Sequence, residues 1–276
     1  MAAGSSPTVR MRQLGMELRR LRDAAGKGQA EAAQWIDVTD TALSKMERGV
    51  RRVRVAYIRS LCQLYDVESA HIEFMERLAR ESGQRGWWAD YGNTVPIWFA
   101  EYLGMETVAA ETWIYASQYL PGLLQCPEYM DAVSDPDARQ VRTARQKRLT
   151  DDDPLRLRVV LDEAVVRRVV GTAEVMGKQI RHLIDVASLP NITIQILPFT
   201  VFHPEIAGSF TALRFPEEPM NTIYIGFAGG AVYLEKPADV GRHATTFERL
   251  AELALDEEET TTLLEQLERR YLECAV

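Results

Sequence analysis

Residues 10–82 are laid out as a run of short helical stretches, and this constrains the fold more than any other feature of the chain. Leu14, Leu18 and Leu21 lie three and four residues apart with Arg19, Arg20 and Arg22 between them, which predicts an amphipathic helix over 14–25 that ends near Gly26. The same spacing predicts helices over 29–36, 39–47, 55–65 and 68–82, separated by Asp37-Val38 and by the 49–54 stretch. Ser82-Gly83-Gln84-Arg85-Gly86 then breaks the periodicity. The expectation is a five-helix, all-α domain over 1–85 and a second domain over 86–276, which a length of 276 residues accommodates.

Composition narrows the class. A chain that is 46% hydrophobic and 26% charged, with no apolar run of about 18 residues, fits neither a disordered nor a membrane-spanning protein. Residues 1–12 lack the apolar core of a signal peptide, so the expected location is cytoplasmic. Cys62, Cys126 and Cys274 are far apart and have no Cys or His neighbour at metal-ligand spacing, so they read as reduced, packed thiols and no metal or cofactor is expected.

The net charge of -8 hides an asymmetry. Residues 1–85 hold 15 Lys and Arg against 11 Asp and Glu, whereas residues 86–276 hold 17 against 29. A basic head on an acidic body implies that one end meets a polyanion while the other does not.

The segment 29–48 is where such a partner would be read. Ala32 and Ala33 leave room for close helix approach, and Ile36, Val38, Leu43 and Met46 supply a shared apolar seam. The second helix then points Thr39, Asp40, Thr41, Ser44, Lys45 and Arg48 outward, with short hydrogen-bonding groups at its start and longer cations farther along. Thr39 is also a good N-cap. Arg51, Arg52, Arg54 and Arg59 follow, so phosphates flanking a groove would meet a dense set of cations. The plainer reading is a helical bundle with a basic face.

Leu14-Gly15-Met16-Glu17-Leu18-Arg19-Arg20-Leu21-Arg22, the 26–29 turn and Leu43-Ser44-Lys45-Met46-Glu47-Arg48-Gly49 resemble the lambda-repressor-like, XRE-type helix-turn-helix domain. The resemblance implies that Gln29, which opens the first motif helix, contacts the DNA backbone, and that the outward residues of the second helix read the major groove. Three positions depart from the family pattern. Asp37 stands where Gly is usual, Gly28 replaces a Ser or Thr cap, and Asp40 puts a carboxylate where it must accept from cytosine N4 or pair with a cation such as Lys45.

Beyond Gly86 aromatics dominate. Four of the five tryptophans, Trp87, Trp88, Trp98 and Trp113, fall within 87–119 together with Tyr115, and the band is either core and domain docking or a surface for a ligand or partner. Strands are expected at 111–118, 155–161, 192–197, 209–215, 222–227 and 231–235, and helices at 96–108, 127–133, 136–149, 173–187, 237–253 and 256–274. This is an α+β domain with a mixed or antiparallel sheet. On the last helix Leu263, Leu264, Leu267, Tyr271 and Leu272 form a stripe that packs at home or against a second subunit.

Trp87-Trp88, the stretch 119–125 with Tyr129, Leu161-Asp162-Glu163-Ala164 with Arg167-Arg168, the stretch 189–199 and Tyr233-Leu234-Glu235-Lys236-Pro237 resemble the companion domain of WhiJ-type and antitoxin-like actinobacterial regulators. That resemblance implies transcriptional control with protein partner binding. Asp162, Glu163, His182, His203, Ser209 and His243 form no recognisable catalytic set, and Asp162 and Glu163 beside Arg167 and Arg168 read as a salt-bridged strand-to-helix corner. The expected function is therefore non-enzymatic: a homodimeric regulator, repressing at a double-stranded DNA operator. The alternative is an antitoxin-like protein that sequesters a small partner and binds DNA for autoregulation.

Overall fold

Helices α1 (Pro7–Ala24), α2 (Gln29–Trp35), α3 (Asp40–Glu47), α4 (Val55–Leu64) and α5 (Ser69–Glu81) occupy the stretches that apolar spacing predicts. They are seen in a computed structural model that describes residues 7–82, 86–202, 208–216 and 220–274. Only α1 departs much from expectation, starting at Pro7 rather than near Leu14. Its added turns are too polar for apolar spacing to mark. The chain divides into two units, Met1–Asp90 with Leu103–Val108, and Tyr91–Tyr102 with Ala109–Val276.

In the first unit the four ends of α1 to α4 share one device. The amide of the third residue beyond each helix turns back five residues: Lys27 to the Arg22 carbonyl, Val38 to Ala33, Val50 to Lys45 and Val67 to Cys62, at 2.9–3.0 Å. Each reversal needs a left-handed pivot, provided by Gly26 (φ +64°), Asp37 (+55°), Gly49 (+67°) and Asp66 (+56°). Asp37 thus takes the conformation usual for Gly, as its place in the turn required. Leu14, Leu18, Ala32, Ala33, Leu43, Met46, Ile58, Leu61 and Met75 close the core among these helices.

α1 and α3 cross backbone to backbone. A Cβ at Gly15 would lie 2.5 Å from the Met46 carbonyl oxygen and 2.7 Å from that of Glu47, so a side chain there has nowhere to go. At Gly49, just beyond α3, a Cβ would come within 2.6 Å of the Arg12 Cα.

The chain continues through α6 (Ile97–Glu106), β1 (Glu111–Ala116), α7 (Pro127–Val133), α8 (Pro136–Gln146), β2 (Arg156–Asp162), α9 (Glu163–Arg167), α10 (Ala173–Ala187) and β3 (Ile192–Leu197). β4 (Phe210–Arg214), β5 (Thr222–Phe227), β6 (Gly230–Leu234), α11 (Pro237–Leu253) and α12 (Glu257–Glu273) complete it. The sheet is mixed, in the order β3-β2-β1-β4-β5-β6: β1 pairs in parallel with β2, and β2 with β3, while β1/β4, β4/β5 and β5/β6 are antiparallel. The molecule is an all-α helix-turn-helix region followed by an α+β domain.

Alternation along the strands decides which residues meet which helix. Trp113, Tyr115, Val160, Phe210, Ala212 and Ile223 share a cluster with Phe247, Leu250 and Ala251 of α11. The register sets Leu157, Val159 and Leu161 beside Ile192, Ile194 and Ile196, all buried, on the opposite side. The edge of β3 is closed rather than open: Ile196 donates to the Thr260 hydroxyl at 3.2 Å, and Leu255 donates to the Ile196 carbonyl at 2.9 Å. On α12, Leu264, Leu267 and Tyr271 pack at home and the Tyr271 hydroxyl donates to the Val166 carbonyl, while Leu272 is exposed. The run Asp256-Glu257-Glu258-Glu259 forms a reciprocal capping box between Asp256 and Glu259. Cys62 and Cys126 are buried and free, and burial pushes the Cys62 thiol up to about 11. Cys274 corrects the expectation of packed thiols, for it is exposed at the C-cap of α12, past the last buried position of that helix at Tyr271.

The α1–α3 crossing predicts an asymmetry between two glycines in helices. Gly15→Ala is expected to destabilise the first unit by about 1–3 kcal/mol, the range for overpacking. Gly241→Ala on α11, where a Cβ meets nothing within 4 Å, is expected to be neutral or to stabilise by up to ~1 kcal/mol. Hydrogen exchange of α3 peptides in the intact chain reads the first effect, and equal protection in wild type and Gly15→Ala would contradict the crossing.

Candidate nucleic-acid interface

The eight residues of α3 divide cleanly between two faces. Ala42, Leu43, Met46 and Glu47 are buried, whereas Asp40, Thr41 and Lys45 are exposed and Ser44 is half-buried. Arg48 at the C-cap, then Arg51 and Arg52, are exposed in continuation of that face. Thr39 is the N-cap, its hydroxyl oxygen accepting from the Ala42 amide at 3.2 Å. A helix of this length spans about 12 Å, close to the width of the B-DNA major groove.

Burial of Glu47 needs a reason, because an acid at 2% side-chain exposure is costly alone. Arg22 of α1 supplies it: Nε donates to Glu47 Oε1 at 2.6 Å and Nη2 to Oε2 at 3.2 Å. Arg22 Nη1 also donates to the Lys27 carbonyl at 3.0 Å, and the Glu47 carboxylate raises the guanidinium above its ordinary value. Gln29 joins from the first turn of α2, its Nε2 donating to Glu47 Oε2 at 3.1 Å. The structure therefore holds Gln29 by the same carboxylate that ties α3 to α1, and fixes the start of α2 relative to α3. The family resemblance singled out Gln29, but the sequence reading missed Arg22 and Glu47. The available signal was an ionisable residue on each apolar face of α1 and α3.

The cations are unequal. Lys45, Arg51 and Arg52 project outward, and Arg48 bends so that Nε donates to the Ser44 carbonyl at 3.3 Å. Arg54 lies over the Tyr57 ring at 5.7 Å. Arg59 is different from the phosphate-facing role its place in sequence indicated, because its guanidinium is engaged by Glu76 of α5, which also binds Arg80 at 2.6 Å. Among the described residues no ion pair holds Asp40, so it does not pair with Lys45 within the protein.

The aromatic residues offered as a ligand or partner surface split up. Trp113 and Tyr115 leave it: at 7% and 2% exposure they are core, because strand alternation turns both toward α11. Trp113 is stacked on Phe247 at 5.1 Å and has Arg214 over its ring at 4.1 Å. Trp87 and Trp88 are half-buried, with the Trp87 indole donating to the Thr107 hydroxyl at 3.1 Å. Trp98 lines a cleft in the second unit.

Asp162, Glu163, Ser209 and His243 each have a separate structural partner. Asp162 caps α9 by accepting from the Ala164 amide at 2.8 Å, and Glu163 pairs with Arg167 at 2.5 Å while accepting from the Phe199 amide at 2.7 Å, which makes the expected strand-to-helix corner. The Ser209 hydroxyl meets Ser117, and His243 Nδ1 lies 2.8 Å from the Asp239 carbonyl oxygen of its own helix. Burial lowers the pKa of His182. His203 lies outside the described residues. Among the described residues no group of three His, Cys, Asp or Glu side chains is placed to hold a metal, and no helix is long and apolar enough to cross a membrane.

An exposed polar and basic helix face, set against a partner helix across a left-handed turn, defines a helix-turn-helix DNA-binding unit. The family described as a helix-turn-helix domain matches residues 13–75. The family described as a domain of unknown function, DUF5753, matches residues 99–266, and the chain belongs to it. No curated protein matches the chain.

The buried pair gives a signed expectation. Glu47→Leu strands a buried Arg22 and is expected to cost about 3–5 kcal/mol, whereas adding Arg22→Met restores most of that stability, since breaking a buried pair costs more than replacing it. Hydrogen exchange of α1 and α3 in the intact chain measures both; a double variant no more protected than Glu47→Leu would count against the coupling.

Proposed function

We propose that this chain is a sequence-specific transcriptional regulator that represses at an operator through α3. The observation that carries the reading is the division of α3, which puts Asp40, Thr41, Ser44, Lys45 and Arg48 on one open face and seals the other in the core. Thr41 and Ser44 can exchange hydrogen bonds with base edges, and Asp40, which has no ion pair among the described residues, can accept from cytosine N4. Lys45, Arg48, Arg51 and Arg52 meet phosphates, and Gln29 sits at the α2 terminus where a phosphate approaches. Residues 1–85 form the reading domain and 86–276 the regulatory one. The protein acts as a homodimer: one short helix contacts few bases, and two half-sites about 34 Å apart supply the affinity that specific sites require. The acidic composition of residues 86–276 opposes indiscriminate coating of DNA.

Binding of the intact protein to its own upstream DNA, against scrambled competitor at several salt concentrations, tests this. The native site is expected to bind at least about 10³-fold more tightly than scrambled DNA. Ser44→Ala is expected to erode that ratio by about 1–3 kcal/mol, and Arg51→Ala to weaken all sequences alike and reduce the salt slope by about one. Weak, steeply salt-dependent binding that ignores sequence would overturn the reading in favour of the antitoxin-like one, in which a small partner protein is the principal target.

A further inference from the structure

A cleft of about 910 Å³ opens within the second unit. Trp98, Phe99, Tyr119, Tyr224 and Phe227 give it aromatic walls, and Tyr119 and Phe227 are 60% and 57% exposed, large values for apolar side chains. Among the described residues no Asp or Glu lines it; the charged lining residues described are Arg142 and Arg145. They are three apart on α8 and so share a face of that helix.

Arg142 is placed in a way the fold alone does not explain. Arg142 Nη1 is buried and has no hydrogen-bond partner among the described residues. Burial, and then the Arg145 cation, hold its guanidinium below the ordinary arginine value, with Asp135 pulling the other way. Arg145 lies over the parallel rings of Phe99 and Tyr102, 5.4 and 5.3 Å from their centroids. Gln125 of the same lining donates to the Leu120 carbonyl at 2.8 Å but its Oε1 is buried with no partner among the described residues. A cation with an unused buried donor beside an apolar cleft, as Arg142 is, is costly unless an anion joins it.

The wall is also firmly built. Gln146 donates to the Gly122, Leu123 and Gln125 carbonyls, at 2.7 Å to the last, and the fully buried Gln179 donates to the Leu124 carbonyl while accepting from the Cys126 amide, both at 2.8 Å. At Gly122 a Cβ would come within 2.9 Å of Arg145 Nη1, so the guanidinium rests directly on the loop backbone.

We propose that this cleft binds an aromatic carboxylate, its carboxylate received by Arg142 beside Arg145 and its ring held among Trp98, Tyr119 and Phe227. Gln125 Oε1 accepts from a hydroxyl or amine on the same ligand. Arginine suits this role because its planar fork matches a carboxylate in two parallel hydrogen bonds. The volume is in the range of small-molecule sites, about 300–1,000 Å³. The inference stands apart from the reading of α3, since its test measures ligand binding with no DNA present.

Isothermal titration of the intact protein with 2-naphthoate and with its neutral counterpart 2-naphthamide decides it. Naphthoate is expected to bind with a Kd below about 1 mM, the scale for a ligand of this size, and the amide about tenfold more weakly or worse. Arg142→Met is expected to remove that tenfold preference, Arg142→Lys to retain part of it, and Ala138→Phe, which fills the cleft from α8, to abolish binding of both probes. The proposal is overturned by equal affinity for acid and amide, by naphthoate affinity unchanged in an Arg142→Met protein with a wild-type circular dichroism spectrum, or by no binding below 1 mM. Should Arg142→Met not fold, Ala138→Phe decides alone: loss of naphthoate binding supports the site and its retention overturns it.

Discussion

The first unit depends on the contact between α1 and α3 at Gly15, where peptide backbone meets peptide backbone. Because a Cβ there would sit 2.5 Å from the Met46 carbonyl oxygen, α3 can lie against α1 only if position 15 has no side chain. A glycine in a helix interior costs about 1 kcal/mol relative to alanine, a cost offset here by what the close crossing permits. It brings the end of α3 near enough for Arg22 to reach Glu47, and Glu47 in turn holds Gln29. One missing methyl group thus fixes three helices, and with them the direction in which Ser44 and Lys45 point.

The second unit solves a different problem. Its sheet joins a parallel half, β1 to β3, to an antiparallel half, β4 to β6, and polar groups hold the β3 edge and the 120–125 loop. Thr260 and Leu255 close the β3 edge, and Gln195 donates to the Ala251 and Leu255 carbonyls from the α11 side. Gln146 and Gln179 pin the 120–125 loop by its carbonyls. Amide side chains suit this work because one group can donate to several backbone acceptors without adding charge to the interior. The stretch 119–125, which reads in sequence as a turn, is in fact held from two helices.

Several features were legible in particular residues. Leu14, Leu18, Leu43 and Met46 fall at helical spacing and are core; Ile192, Ile194 and Ile196 alternate and share one face of β3. Thr39 is a cap, and Asp37 occupies the left-handed turn, because both depend on neighbours within four residues. The misses are long-range. Trp113 and Tyr115 look like part of an aromatic surface until pairing with β4 and burial under α11 place them in the core. Arg59 looks free until α5 brings Glu76 to it.

The sequence by itself determined the helices, the strands, the caps, the outward face of α3 and the presence of two differently charged parts, since periodicity and local hydrogen bonding act over a few residues. Only the tertiary structure decided that the sheet is mixed, that Glu47 is a buried tie, and that Arg142 and Gln125 face one aromatic cleft. Those outcomes depend on which segments meet across tens of residues, and a single chain's spacing carries no record of such meetings: hydrophobic burial is non-directional, and the partner of a polar group is set by where the core brings it.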